Sequence, residues 1–286
     1  MKDRHVVEAM GKAYVVIEDG RAVEAGEPLI ERCPIFAKAP GIEEISQETI
    51  KQNIEFRIRD FGVCAGERAI GMKVFVGFGA SEVMMTELTR DLIDANVPVC
   101  DGVGTFITPN LSLTQGLAAR ISSVTEMTLF PNLKNRVEEK GGILLDGKNA
   151  IINQLLGVGR AMKIVFERVA VTVATLSEAQ QCRSIERETG AATVIIGVHV
   201  SGIEQDAASD FVYPMDVTRA CASCVIRETV SKHALAQVGT AVPPFALSQK
   251  GKELLLERAK EVTTPILINT MKLQVLPEVK QPRPLT

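Results

Sequence analysis

The sequence predicts an α/β fold of mostly parallel sheets flanked by helices, in one or two lobes, with a small N-terminal β-hairpin. Two observations predict this fold. Short apolar strands at residues 169–174 and 193–200 alternate with helices of roughly a dozen residues, the pattern of βαβ units with right-handed crossovers. An Asp-Gly turn separates two strand-like runs within residues 14–23, which is typical of a tight hairpin.

The first half of the chain begins its helical pattern at Ser46. This residue, with Glu48 behind it, predicts a capped helix that runs to about Asp60. We then expect a strand at 73–76, a glycine turn with a helix behind it, and a strand at 97–100.

The second half is more regular. We predict helices at 149–162, 177–189, 217–230 and 249–262, and strands at 169–174, 193–200, near Phe211 and at 265–268. The domain organisation we expect is an N-terminal hairpin segment (1–45), a first α/β lobe (46–145), a second α/β lobe (146–276) and an extended or disordered tail (277–286).

Composition excludes several classes of function. The chain of 286 residues has a net charge of −3 from 32 basic and 35 acidic residues, so we expect neither nucleic-acid nor membrane-surface binding. No apolar run reaches the ~18 residues that a membrane span needs. The first eight residues carry charges at positions 2, 3, 4 and 8, where a secretory signal would need an apolar stretch, so we expect a cytoplasmic protein.

The six cysteines do not suggest a disulfide framework, because the cytosol is reducing. Each is therefore a buried small residue, a metal ligand or a reactive thiol. Cys182 has the plainest setting, in the middle of a predicted helix, and is interpreted as structural.

The loop after the predicted strand 97–100 is the leading candidate site. Cys100 and Asp101 stand where an open α/β sheet binds ligands, and we assign both to catalysis, with Asp101 as acid or base. Gly102 and Gly104 let the backbone approach a bound group, and Thr105 adds a polar atom. These three residues are the predicted ligand or cofactor contacts, in the principal pocket.

Two other glycine motifs are weaker. Gly77 and Gly79 follow a predicted strand, but Glu82 stands where a dinucleotide fingerprint has its third glycine. An ordinary strand-to-helix turn is the preferred interpretation, with cofactor binding as the alternative. Gly157 and Gly159 lie inside a predicted helix.

Cys221 and Cys224 are three residues apart on the predicted helix 217–230, so they share a face on which two thiolates can hold a metal. Alternatively, Cys221 lies in the first turn, where the helix dipole, Arg219 and Arg227 favour a reactive thiolate. A third interpretation is a small residue packed under the sheet.

The sequence does not support hydrolytic machinery, because no Gly-x-Ser-x-Gly elbow is present and no histidine stands near a serine or cysteine in a form that suggests a triad. His199 lies at the end of the predicted strand 193–200, from which it can point into a cleft, although a lone histidine on a strand is more often part of the core.

Four strings resemble a known family. They are ERCPIF (31–36), NIEFRIRDFGVC (53–64), CDGVGT (100–105) and TRACAS (218–223). With the opening KDRHVVEA (2–9) and the later QKGKELL (249–255), they resemble the methanogenesis marker protein 8 family along nearly the whole chain.

The resemblance implies a setting in methanogenic archaea and related anaerobes and does not imply a particular reaction. It selects Cys33, Cys64, Cys100 and Cys221, which lie inside the family-like strings, whereas Cys224 stands where the family leads us to expect lysine or another residue. We therefore predict that these four thiols converge on an iron–sulfur cluster or a zinc ion, with sulfurs within roughly 8 Å of one another.

Two hypotheses about function remain. The first is an enzyme or maturation factor of anaerobic one-carbon metabolism with this cysteine-lined metal site, whose partner is a methanogenesis-related protein or a coenzyme. The second is a metal-free α/β protein that binds a small molecule or nucleotide and whose cysteines are structural. A pure assembly partner is a third possibility.

Overall fold

The computed structural model describes residues 3–38, 41–74, 76–119, 123–203 and 213–286. The strands are β1 (Arg4–Glu8), β2 (Tyr14–Glu18), β3 (Arg21–Ala25), β4 (Ala95–Val97), β5 (Val99–Cys100), β6 (Gly104–Ile107), β7 (Ser123–Glu126), β8 (Ile143–Leu144), β9 (Arg168–Val173), β10 (Ala192–Gly197), β11 (Val217–Arg219), β12 (Ala236–Gln237) and β13 (Pro244–Ala246). The helices are α1 (Pro34–Lys38), α2 (Gln47–Phe61), α3 (Ala80–Thr89), α4 (Leu111–Ala118), α5 (Pro131–Glu139), α6 (Gln154–Ile164), α7 (Leu176–Thr189), α8 (Cys224–Glu228) and α9 (Gln249–Glu261). The fold is α/β, as predicted.

The largest sheet has six strands in the order β12-β13-β11-β10-β9-β4. Strands β4, β9, β10 and β11 run parallel, whereas β13 and β12 are antiparallel at one edge. Val169, Val171 and Val173 pack with α6 and α7, and Ala170 packs on the opposite face with α3 and α9. Helices therefore cover both faces, which explains why β9 and β10 read as continuous apolar runs.

The N-terminal sheet is antiparallel, in the order β3-β2-β1-β7. Its β2–β3 hairpin turns at Asp19 and Gly20, both with positive φ, and this confirms the predicted hairpin. A third, three-stranded sheet of β5, β6 and β8 is also antiparallel. The sheets are thus mixed, and the expected dominance of parallel pairing holds only for the central sheet.

Most of the predicted helices are confirmed. Their starts could be predicted because the capping residues are close in sequence to the helices that they cap. Ser46 and Thr49 form a capping box at the start of α2, and Thr175 and Glu178 form one at the start of α7. Ser248 caps α9 through the backbone N–H of Gly251. Among the described residues no helix has the length and apolar character that crossing a bilayer requires.

Four predicted elements differ from the structure or lie outside it. The helix predicted at 217–230 is instead the strand β11, a turn and the short helix α8, because Val217 pairs with Ile196 and Ala246 on its two neighbours. Residues 73–74 and 265–268 are not strands and are mostly exposed. The strand expected near Phe211 lies outside the described residues.

The C-terminal residues return to the body of the protein. Arg283 pairs with Arg32 through main-chain hydrogen bonds in both directions, and Thr286 bonds to the main chain of Ala222 and Cys224. The division of the chain into two lobes stays a prediction.

Candidate functional site

Two cavities meet at the carboxyl ends of β9, β10 and β11. The smaller has a volume of about 220 Å³ and the larger about 480 Å³, and both are lined by His199, Arg219 and Cys221. We call these three residues the shared rim. The carboxyl ends of parallel strands are where open α/β sheets bind their ligands, so the cavities occupy the expected edge.

The backbone turns sharply at two residues of the shared rim. After β10 the chain passes through His199 with φ of 56°, and after β11 it passes through Cys221 with φ of 43°. Left-handed conformations cost about 1–3 kcal/mol for residues other than glycine and concentrate at functional sites. The fold holds both side chains at the cavities at this cost.

Three basic residues line the smaller cavity, namely Lys12, Arg57 and Arg219, and Arg219 also lines the larger one. The Lys12 ammonium donates to the carbonyl of Ser201 at 2.9 Å and lies 3.7 Å from a carboxylate oxygen of Glu8. Arg219 donates to the carbonyl oxygens of Phe78 and Val242. Because carbonyl oxygens carry no net charge, these bonds orient Arg219 without neutralising it.

These three cations affect the pKa of His199. Burial lowers the pKa of His199, and the positive charges of the three basic residues lower it further, to about 4. The imidazole is therefore neutral at pH 7, with Nδ1 at 4.0 Å from Glu8. A neutral imidazole among cations is suited to donate or accept a hydrogen bond at an anionic ligand.

Two acids, Glu82 and Glu178, line the larger cavity, and both accept hydrogen bonds from neighbouring protein groups. Glu82 accepts hydrogen bonds from the Ser81 hydroxyl, the Val76 N–H and the Gln115 amide. Glu178 accepts from the main chain and hydroxyl of Thr175. The glycine turn at 77–79 is thus organised around its own glutamate, which supports an ordinary turn over a dinucleotide site.

The smaller cavity brings together two of the predicted thiols, Cys33 and Cys221, which we call the open thiol pair. Cys33 is buried and Cys221 is partly exposed. Cys221 does not lie in a helix, since α8 begins at Cys224 with Ser223 as its cap. The expected stabilisation of its thiolate by a first helical turn, and the shared helix face with Cys224, are therefore wrong.

The other two predicted thiols, Cys64 and Cys100, lie together elsewhere; we call them the closed thiol pair. Both are fully buried beside Asp101. One Asp101 oxygen accepts the Cys64 N–H at 2.5 Å, and the other lies 3.2 Å from Arg68 Nε, in an ion pair with no exposure on either side. Burial and the charge of Asp101 raise the pKa of both thiols well above the usual range.

The predicted ligand loop serves packing. A Cβ on Gly102 would lie 2.3 Å from the Phe130 ring, and one on Gly104 would lie 2.5 Å from the Ile151 carbonyl oxygen. The Thr105 hydroxyl accepts the N–H of Asn153. None of the residues assigned to this loop lines the cavities described above: Cys100, Asp101, Gly102, Gly104 and Thr105.

The four predicted metal ligands, Cys33, Cys64, Cys100 and Cys221, lie in two separate pairs. Within the part of the chain that the structure describes, no three or more His, Cys, Asp or Glu side chains are grouped so that they could hold a metal ion. The expected convergence is not found: Cys33 and Cys221 line the smaller cavity, whereas Cys64 and Cys100 are fully buried beside Asp101.

Sequence reasoning found part of the site at the cavities. It named Cys221 and Cys33 from their local strings and His199 from its position after a strand. It missed Lys12, which lies in the N-terminal segment, and Arg57, which lies in α2. No local pattern marks either residue, because only the tertiary structure brings them to the carboxyl edge of the central sheet.

Comparison with known proteins gives a family. Residues 5–260 match the model of a family described as "Uncharacterized protein conserved in archaea (DUF2099)". A protein of Methanocaldococcus jannaschii, described as uncharacterized, is 45% identical over 284 residues, which is 99% of each chain. The chain therefore belongs to the DUF2099 family of conserved archaeal proteins.

Proposed function

We propose that this protein binds a small anionic molecule in the two cavities at the carboxyl edge of its central sheet, and that the molecule reacts with or lies against the Cys221 thiol. The observation that carries the proposal is the cationic lining around a histidine that stays neutral. Such a lining attracts an anion and disfavours a cationic ligand.

The groups of the shared rim suit this chemistry. Arg219, oriented by two carbonyl oxygens, offers the planar donors that recognise carboxylates and phosphates. The neutral His199 supplies a further hydrogen bond or moves a proton. The larger cavity, at about 480 Å³, is of the size that encloses a metabolite.

The biological setting is proposed on weaker support. The archaeal family and the relative from Methanocaldococcus jannaschii support a role in archaeal metabolism, and the resemblance described above narrows it to anaerobic one-carbon chemistry in the cytoplasm. A small-molecule ligand is the partner that the cavities favour over a methanogenesis-related protein. No observation favours the iron–sulfur or zinc version of the proposal.

The experiment is calorimetric titration of the full chain with phosphate, sulfate and succinate at constant ionic strength. We expect saturable binding of at least one of these anions, and a loss of about tenfold or more in affinity in Arg219→Gln, because a charge-assisted bond contributes about 1.5–3 kcal/mol. The matched control is Arg59→Gln, which removes an exposed arginine paired with Asp60 and should change the affinity little. Absence of saturable binding, or equal affinity in Arg219→Gln, contradicts the proposal.

A further inference from the structure

We propose that the open thiol pair is a redox pair that reduces a small anionic disulfide, with Cys221 as the attacking thiol and Cys33 as the resolving thiol. The choice of an anionic substrate rests on the proposed function, whereas the pairing of the two cysteines rests on separate observations. Those observations are a common cavity, a buried cation that interacts with both thiols, and the unequal exposure of the two thiols.

The two cysteines both line the smaller cavity, and the C-terminal segment is hydrogen-bonded to a neighbour of each. Arg283 is hydrogen-bonded to Arg32, the residue before Cys33, and Thr286 is hydrogen-bonded to Ala222, the residue after Cys221. Three residues of extended chain span at most about 11 Å. The strings around both thiols are thus fixed to the same short segment.

A buried arginine lies beside both thiols. Arg227 is 1% exposed and donates to the Cys221 carbonyl at 2.6 and 2.9 Å, to the Ala241 carbonyl at 2.7 Å and to the Gln281 side-chain oxygen at 3.0 Å. All these acceptors are neutral, so the guanidinium charge is not cancelled by its hydrogen bonds. A nearby uncancelled cation stabilises a thiolate, the form that attacks disulfides.

Arg227 and the two thiols of the open pair interact electrostatically. Burial lowers the pKa of Arg227 to about 10, and negative charge on Cys221 and Cys33 opposes that change. The pKa of Cys33 is raised above its usual value, chiefly by burial and in part by negative charge on Cys221, while the N–H groups of Ile35 and Phe36 and the charge of Arg227 act in the opposite direction. Arg227 therefore interacts with both sulfurs of the pair.

Exposure assigns the two roles. Cys221 belongs to the shared rim of both cavities and is partly exposed, so a ligand in either cavity reaches it. Cys33 is 7% exposed and lines only the smaller cavity. Attack by the accessible thiol and resolution by the buried one is the order that this geometry supports.

The reaction balances as two exchanges. The Cys221 thiolate attacks one sulfur of the substrate disulfide, forms a mixed disulfide and releases the first thiolate, which takes up the proton lost by Cys221. Cys33 then attacks the Cys221 sulfur, forms the Cys33–Cys221 disulfide and releases the second thiol. The substrate gains two electrons and two protons, the protein loses them, and a second thiol compound is needed to regenerate the reduced pair.

The test uses two disulfides of similar size that differ in charge: dithiodiacetate, which carries two carboxylates, and the neutral bis(2-hydroxyethyl) disulfide. The reduced full-length protein is mixed with each disulfide, quenched with acid and analysed by intact mass and peptide mapping. We expect the wild type to form the Cys33–Cys221 disulfide without a retained adduct, and to react ~10-fold or more faster with dithiodiacetate because the cationic lining attracts it.

The variants separate the two steps. Cys33→Ser and Cys33→Ala should retain the substrate half as an adduct on Cys221, and Cys221→Ser should form neither product. Cys224→Ser, which changes a thiol that lines none of the described cavities, should behave like the wild type. A stable adduct on wild-type Cys221, or an unchanged product in Cys33→Ser, overturns the redox pair.

The outcome also distinguishes this inference from the proposed function. If phosphate or succinate binds but Cys33 and Cys221 never join, the redox pair is wrong and the anion site stands. If Cys33 and Cys221 form a disulfide equally fast with both substrates, and Arg219→Gln has the same anion affinity as the wild type, the anionic substrate class is overturned together with the anion site.

Discussion

The two thiol pairs show how the same residue types serve different ends. In the closed pair a buried cation, Arg68, meets a buried carboxylate, Asp101, and both thiols are sealed in the core. In the open pair a buried cation, Arg227, donates hydrogen bonds only to neutral acceptors, and both thiols line a cavity. Arg68, whose charge is cancelled by a buried carboxylate, holds the fold together, whereas the charge of Arg227 is not cancelled by its hydrogen bonds and can stabilise a thiolate of the open pair.

The largest expected effect tests the closed pair. Asp101→Asn leaves the Arg68 guanidinium without its carboxylate in a site of zero exposure, so we expect the free energy of unfolding to fall by about 3 to 5 kcal/mol. Denaturant unfolding of the full chain measures this. Asp60→Asn, at an exposed ion pair, is the control and should cost under about 0.5 kcal/mol. A comparably small loss in Asp101→Asn would show that the ion pair does not stabilise the fold.

Glu87 extends the comparison to a buried carboxyl that has no hydrogen-bond partner among the described residues. It is fully buried, and neither carboxylate oxygen has a hydrogen-bond partner among the described residues. Burial, with a contribution from the charge of Asp216, raises the pKa of Glu87 from 4.5 to about 8. The folded state therefore keeps a proton that the unfolded state loses, and stability falls as the pH rises from 4.5 to about 8.

Replacing this residue should remove that loss. Relative to the wild type, Glu87→Gln should gain stability as the pH rises through this window, reaching on the order of a few kcal/mol at about pH 9. Denaturant midpoints measured across the range give the curve. Glu253→Gln on the exposed side of α9 should show no such trend. A constant difference between Glu87→Gln and the wild type at all pH values would mean that Glu87 ionises normally in the folded protein.

A smaller effect separates the loop after Cys100 from the cavities. Gly104 and Gly141 both have positive φ, but a Cβ on Gly104 would meet the backbone at residues 150–151, and one on Gly141 would meet nothing within 4 Å. We expect Gly104→Ala to cost about 1 to 3 kcal/mol more than Gly141→Ala in denaturant unfolding, because only the first adds a clash to the strain. Its anion affinity should equal that of the wild type. Loss of anion binding with little loss of stability would return the ligand site to the Cys100 loop.

The sequence predicts the elements whose pattern is local. Helices α2 and α7 and the hairpin are marked by their own caps and turns, and β9 and β10 by apolar runs. Val217 belongs to a strand only because β10 and β13 flank it, and no local pattern shows this. Helix propensity in residues 217–230 was therefore overridden by pairing with distant strands.

The same limit applies to the site. Local strings identified Cys33 and Cys221, but strings of the same kind also identified Cys64 and Cys100, which lie beside a buried ion pair. Whether a cysteine beside a charged residue is open or closed depends on what packs over it, and Arg68 packs over Cys100 from 32 positions earlier in the chain. The cations Lys12 and Arg57 become neighbours of His199 only in the folded protein.

The most direct measurement of the central claim is competitive alkylation of the native protein by iodoacetate and iodoacetamide, which differ in charge. Peptide mass analysis then gives the ratio of the two products at every cysteine. We expect Cys221 to react. Its ratio of iodoacetate product to iodoacetamide product should be ~10-fold or more higher than the ratio at Cys224, whose neighbour is Glu228. Arg219→Gln should remove this preference, and Cys64 and Cys100 should stay unlabelled until the protein unfolds. Labelling of the closed pair before Cys221, or equal ratios at Cys221 and Cys224, would contradict the account.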